Sequence, residues 1–90
     1  MLFAWIGFLK EGAEPDQEVQ EEVSAFLQQP YVPIHSAGAL RDPAGRRAAM
    51  MMVFEADDRA AAEALVANSP YLRAGLYDRH DLFEYMNEVG

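Results

Sequence analysis

The hydrophobic period changes along the chain, and each change marks an element. Residues 2–9, LFAWIGFL, are apolar, rich in aromatic and branched side chains, and bounded by Lys10-Glu11-Gly12. So short a run predicts a buried strand rather than a helix. From Asp16 the pattern turns helical. Val19, Val23, Phe26 and Leu27 recur at three- and four-residue spacing, the stripe of an amphipathic helix expected over residues 16–29. Asp16 and Glu18 put negative charge in its first turn, where the helix dipole favours it; Pro30 and Pro33 forbid its continuation. Residues 31–41 predict a second strand, whose prolines put its start at an edge or outside the sheet. Asp42-Pro43-Ala44-Gly45 suits a type I turn, and a third strand is expected over 46–56. Asp57 or Asp58 caps a second helix, DDRAAAEALVANS, with Ala61, Ala62, Leu65 and Val66 inward, and Ser69-Pro70 ends it. Residues 71–75 read as a short turn. Leu76 to Met86 read as a last strand broken by the polar Asp78-Arg79-His80-Asp81, with a loose tail after it.

The order βαββαβ predicts an α+β domain of ferredoxin-like type, a four-stranded antiparallel sheet with both helices on one face. The other face is then open, and the strands do not alternate as a wet face requires. Strand 1 offers Phe3, Trp5 and Leu9 on one parity and Leu2, Ile6 and Phe8 on the other; strand 3 offers Met50, Met52 and Phe54 against Met51 and Val53. Two helices bury one set. The other set, expected to hold a large aromatic from either strand, would leave a patch larger than soluble monomers usually show. At about 25 cal/mol per Å2, covering roughly 500 Å2 per subunit gives roughly 12 kcal/mol of gross burial, above the low end of association costs. A homodimer packed sheet to sheet is therefore expected. The alternative is a monomer whose open face holds a ligand or is shielded by the tail.

Composition narrows this further. The 90 residues suit a single domain over 1–90, about half hydrophobic and a quarter charged. With no cysteine, disulfides, thiolate metal sites and a cysteine nucleophile are excluded, and a reducing cytoplasm is the expected setting. No run approaches the roughly 20 apolar residues of a membrane helix, and the first residues lack a signal peptide's charged region. The net charge is −8, with six acids between Glu11 and Glu22. Such a surface repels phosphate, so neither nucleic acid nor membrane is an expected partner. No glycine-rich phosphate loop, nucleophile elbow or zinc-protease motif occurs, and no cofactor is expected.

Ala37-Gly38-Ala39-Leu40-Arg41-Asp42 and the run from Ser69-Pro70-Tyr71 to Gly75-Leu76-Tyr77, with the alanine-rich helix before it, resemble the YCII-related (YciI-like) family across nearly the whole chain. The resemblance implies a ferredoxin-like unit that dimerises into an α+β barrel. It also implies an active site pairing a histidine on the first helix with the aspartate after strand 2. Some relatives act on chlorinated or ring-derived small molecules. Here the aspartate is Asp42, but helix 1 carries no histidine; Glu22 or Val23 falls about where it would stand. Ser69 replaces the aspartate of the family's Asp-Pro pair.

Each candidate has two readings. His35 is the best acid/base candidate, or else a histidine bonded to a neighbour; seven residues from Asp42, it falls on the opposite face, about 23 Å away along a regular strand. Asp42 is catalytic through the family parallel, or else bonds its own turn. Arg41, Arg46 and Arg47, the one local excess of positive charge, flank the turn as solvated hairpin arginines or as an anion clamp at a pocket rim, and Arg41 and Arg73 could hold a carboxylate, or are solvated. Tyr71 is substrate-binding or packing, and His80 is substrate-binding or part of a solvated loop. Two histidines 45 residues apart make no metal site. Two functions follow: a small, cofactor-independent enzyme moving protons with a His/Asp pair, of lyase or isomerase type, or a non-catalytic dimeric module binding a metabolite or a protein.

Overall fold

A computed structural model describes residues 1–30 and 33–89, so Tyr31 and Val32, the expected start of strand 2, lie outside the described residues. The chain runs β1 (Leu2–Leu9), α1 (Gln17–Leu27), β2 (Ile34–Arg41), β3 (Arg47–Glu55), α2 (Arg59–Ala67), α3 (Pro70–Arg73) and β4 (Tyr77–Glu84). The strands form one antiparallel sheet in the order β2-β3-β1-β4. This is the ferredoxin-like α+β arrangement that the element order predicts.

Local chemistry sets the element ends. The Asp16 carboxylate accepts from the Val19 N–H at 2.9 Å and caps α1; Asp58, not Asp57, does the same for Ala61 at 2.8 Å and caps α2. Asp42 Oδ1 accepts from the Ala44 and Arg46 N–H groups, both at 2.9 Å. Gly45, at φ 84°, donates to the Asp42 carbonyl and closes the β2–β3 turn.

Two elements differ from the sequence expectation. Residues 71–75 are not a simple turn, because Pro70 takes the first position of α3. The buried Ser69 hydroxyl donates to the Val66 carbonyl at 2.7 Å, so the same pair ends α2 and starts α3. β4 also runs unbroken through Asp78-Arg79-His80-Asp81. An edge strand exposed to water tolerates polar residues that a central strand does not.

The core lies on the helix side. Phe3 and Trp5 of β1, Met52 and Phe54 of β3, Ala62 and Val66 of α2 and Tyr71 of α3 are buried together, with Val23, Phe26 and Leu27 of α1 half-buried against them. Ala61, expected inward, is exposed; Ala62 and Val66 carry the α2 contact. Leu2, Ala4, Ile6 and Phe8 face the other way, beside Met51 and Val53. Since Phe54 goes to the core, the open face takes its aromatics from Phe8 and from Phe83, which is 58% exposed.

Candidate functional site

Two β-bulges lie at the same end of the sheet, and both turn side chains toward the helices. Between Leu40↔Ala49 and Arg41↔Arg47, β3 holds an extra residue, Ala48. Between Phe8↔Arg79 and Leu9↔Tyr77, β4 holds an extra residue, Asp78. A bulge shifts the two-residue alternation by one. Arg47 and Tyr77, which strict alternation sends to the open face, therefore fall on the helix side.

There they border a cavity of about 260 Å3. Val19, Val23 and Leu27 of α1 form its apolar wall, Met50 and Arg47 come from β3, and Tyr71 and Tyr77 complete it. The Tyr71 hydroxyl is buried and has no hydrogen-bond partner among the described residues. Few buried polar atoms go unpaired in folded proteins, so the atom marks a place for a ligand's polar group or water. Burial raises the pKa of Tyr71, against the nearby Arg47 charge. Tyr77 is pushed up strongly, first by burial and then by Tyr71, again opposed by Arg47. Both phenols stay protonated at neutral pH and act as donors. An apolar pocket with two phenol donors and a guanidinium suits a small ring or enol bearing a negatively charged oxygen.

The sequence candidates are spread more widely. His35 is the extra residue of a third bulge, at the far end of the sheet, with Nε2 3.7 Å from Glu55 Oε2 and both side chains about half exposed. Asp42 lies beyond the other end of β2, its carboxylate engaged by its own turn. The fold does not join these two within one subunit. Arg41 is exposed opposite Arg47 in the ladder; Arg73 is exposed beside Asp16, Glu18 and Glu22, so the two share no recess. Of the six, Tyr71 alone lines the cavity. Arg47 was legible only as one of three turn-flanking arginines that could clamp an anion at a pocket rim; that it and Tyr77 reach this cavity was not, because the bulges that aim them depend on strand pairing. Besides that cluster, the signal in the chain was the pair of polar interruptions, Arg46-Arg47 and Asp78-Arg79, at strand starts.

His80 is part of β4, not of a loop. Opposite Gly7, it falls on the helix side, and its Nδ1 accepts from the Trp5 indole N–H at 3.1 Å. It also lines a groove of about 390 Å3 between α2 and β4 with Arg59, Glu63 and Asp81. Among the described residues no group of three His, Cys, Asp or Glu could hold a metal ion, and no helix is long and apolar enough to cross a membrane.

Sheet order, helix placement and the cavity under α1 define a ferredoxin-like α+β protein with a small-molecule-sized pocket. Residues 1–86 match the YCII-related domain, and the chain belongs to that family. The solved structure of 5-chloro-2-hydroxyhydroquinone dehydrochlorinase from Burkholderia phenoliruptrix, in complex with 2,5-dihydroxybenzoquinone, is similar at a TM-score of 0.69 and 18% identity, covering 96% of this chain and 94% of that one. Rv0793 from Mycobacterium tuberculosis is similar at a TM-score of 0.55 and 10% identity, covering 99% and 97%. At these identities the likeness concerns the fold. No curated protein matches the chain.

Proposed function

We propose that the protein is a cofactor-independent enzyme of small organic anions, working as a homodimer in the cytoplasm. The observation that carries this reading is the unpartnered Tyr71 hydroxyl at the wall of an apolar cavity, with Tyr77 and Arg47 beside it. A phenolate or enolate oxygen placed there would receive two hydrogen bonds and a positive charge. Such groups stabilise a reaction in which a C–H proton leaves and its electron pair moves onto that oxygen. The dehydrochlorinase's quinone complex supports a ring-derived substrate by analogy of fold. His35, held near Glu55 at the edge strand, is the candidate to move the proton, from within the subunit or across a dimer. The absence of cysteine suits the cytoplasmic setting, and the apolar open face supports the dimer.

The second reading, a binding module without catalysis, draws on Asp42. Its carboxylate already accepts two backbone N–H groups, which accounts for the residue without chemistry. One experiment separates the two readings. The protein is incubated with 2,5-dihydroxybenzoquinone in D2O, and deuterium at the ring carbons is followed by NMR. Exchange faster than in buffer, slowed by Tyr71→Phe and Arg47→Gln, supports the enzyme. Saturable binding without exchange supports the module. Binding that neither substitution weakens removes the cavity from both.

A further inference from the structure

Trp5 is completely buried on the helix side and touches both Tyr71 and Tyr77 of the cavity and His80 of the groove between α2 and β4. One side of the indole packs on the cavity phenols, with ring centroids 5.2 Å from Tyr71 and 5.4 Å from Tyr77, the latter edge-on. Beneath it lies Gly7. A Cβ built there would come within 2.6 Å and 2.8 Å of indole carbons and 2.8 Å of the Tyr77 ring. The indole is therefore confined by backbone below and aromatic rings beside it. Its single polar atom, the N–H, leaves the core toward the exposed edge and donates to His80 Nδ1.

We propose that His80 is a positioning residue for the cavity, holding the Tyr71 and Tyr77 rings in place from outside through the indole of Trp5. The proposal rests on the cavity reading above and adds the means by which that cavity is shaped. Nδ1 accepts only while it carries no proton. Protonating it, or removing the imidazole, leaves a buried N–H without an acceptor, a cost that disfavours the indole's present position and shifts the ring within its aromatic packing. Tyr71 and Tyr77 pack on the indole and follow it. Among the described residues, the charged groups around His80 lie on α2 and β4. Arg59 and Glu63 of α2 line the same groove, paired with each other at 3.0 Å, and Arg59 also donates to the Leu82 carbonyl. Asp81 lines the groove and pairs with Arg79, whose guanidinium lies 4.3 Å from the Phe8 ring centre on the open face. β1 brings Trp5 and Gly7, α3 brings Leu72, and none of these ionises.

Trp5 is the single tryptophan and His80 one of two histidines, so the test is direct. Tryptophan emission of the ligand-free full chain is titrated over roughly pH 5 to 8, where histidine changes charge. Tyrosine ring resonances are recorded by NMR. The expected result is a titration in wild type and His35→Gln that disappears in His80→Gln, which offers an acceptor but no proton equilibrium. The Tyr71 and Tyr77 resonances should shift in His80→Leu and stay near wild type in His80→Gln. Benzoate, a small ring carboxylate, should bind His80→Leu about 5- to 20-fold more weakly and His80→Gln within about 2-fold of wild type. A titration that survives His80→Gln, or tyrosine rings unmoved in His80→Leu, overturns the proposal. If wild type does not bind benzoate, the cavity reading for small ring anions fails, and the ring resonances still decide the role of His80.

Discussion

The two faces of the sheet are almost equally oily, yet one is a core and the other is not. On the helix side, Phe3, Trp5, Met52 and Phe54 are each at most 1% exposed and meet Ala62, Val66 and Tyr71. On the open side, Leu2, Ile6, Phe8, Met51 and Val53 are partly accessible, and Phe83 and Leu40 are 58% and 39% exposed. The difference lies in what is opposite. Helices supply close-packed partner atoms on one side; on the other, no helix among the described residues covers the sheet, and the Arg79 guanidinium lies over the Phe8 ring. Hydrophobicity alone does not make a core.

Substitutions can break or sharpen this contrast. Trp5→Ala should have the largest effect, about 3–5 kcal/mol of lost stability by urea unfolding, because it opens a hole where Tyr71, Tyr77 and Gly7 converge. Gly7→Ala should lose about 1–3 kcal/mol by overpacking the same place. A harmless Gly7→Ala would mean that the indole is free to move. On the open face the expected currency is assembly. Ile6→Lys should change subunit stability by about 1 kcal/mol, yet reduce the mass by light scattering from about 20 kDa to the 10.1 kDa of one chain. A wild type already at one chain's mass would end the dimer proposal. Tyr71→Phe should have the smallest effect on stability and the opposite sign. Deleting an unpaired buried hydroxyl should leave stability unchanged or raise it by up to about 1 kcal/mol, while ligand binding weakens.

The buried phenols also fix a pH dependence. Tyr71 and Tyr77 have raised pKa values in the fold and ordinary ones, 10.0, when unfolded. Their contribution is complete below pH 10 and declines as the pH rises beyond it, since the unfolded chain then releases protons that the folded chain retains. The urea midpoint should fall between pH 9 and pH 11, and by less in Tyr77→Phe.

Much of the fold was legible because its signals are local. The stripe Val19, Val23, Phe26 and Leu27 needs only a helix's own period, the caps Asp16 and Asp58 only their own first turns, and Asp42 to Gly45 only its own backbone. Pro70 misled for the same local reason: it ends one helix and, with Ser69 folded back on Val66, begins another. Of the site, Tyr71 was visible as a candidate. Arg47 was visible only within a cluster of three arginines, and Tyr77 and the bond from Trp5 to His80 were not visible at all.

The sequence by itself determined the elements, their order and the presence of more apolar surface than two helices can hide. Tertiary structure alone decided which residues share the cavity. An extra residue in β3 and another in β4 exist only relative to the strands they pair with, and each reverses the side that every following residue faces. Periodicity within one strand cannot carry that information, because register is a property of two strands together.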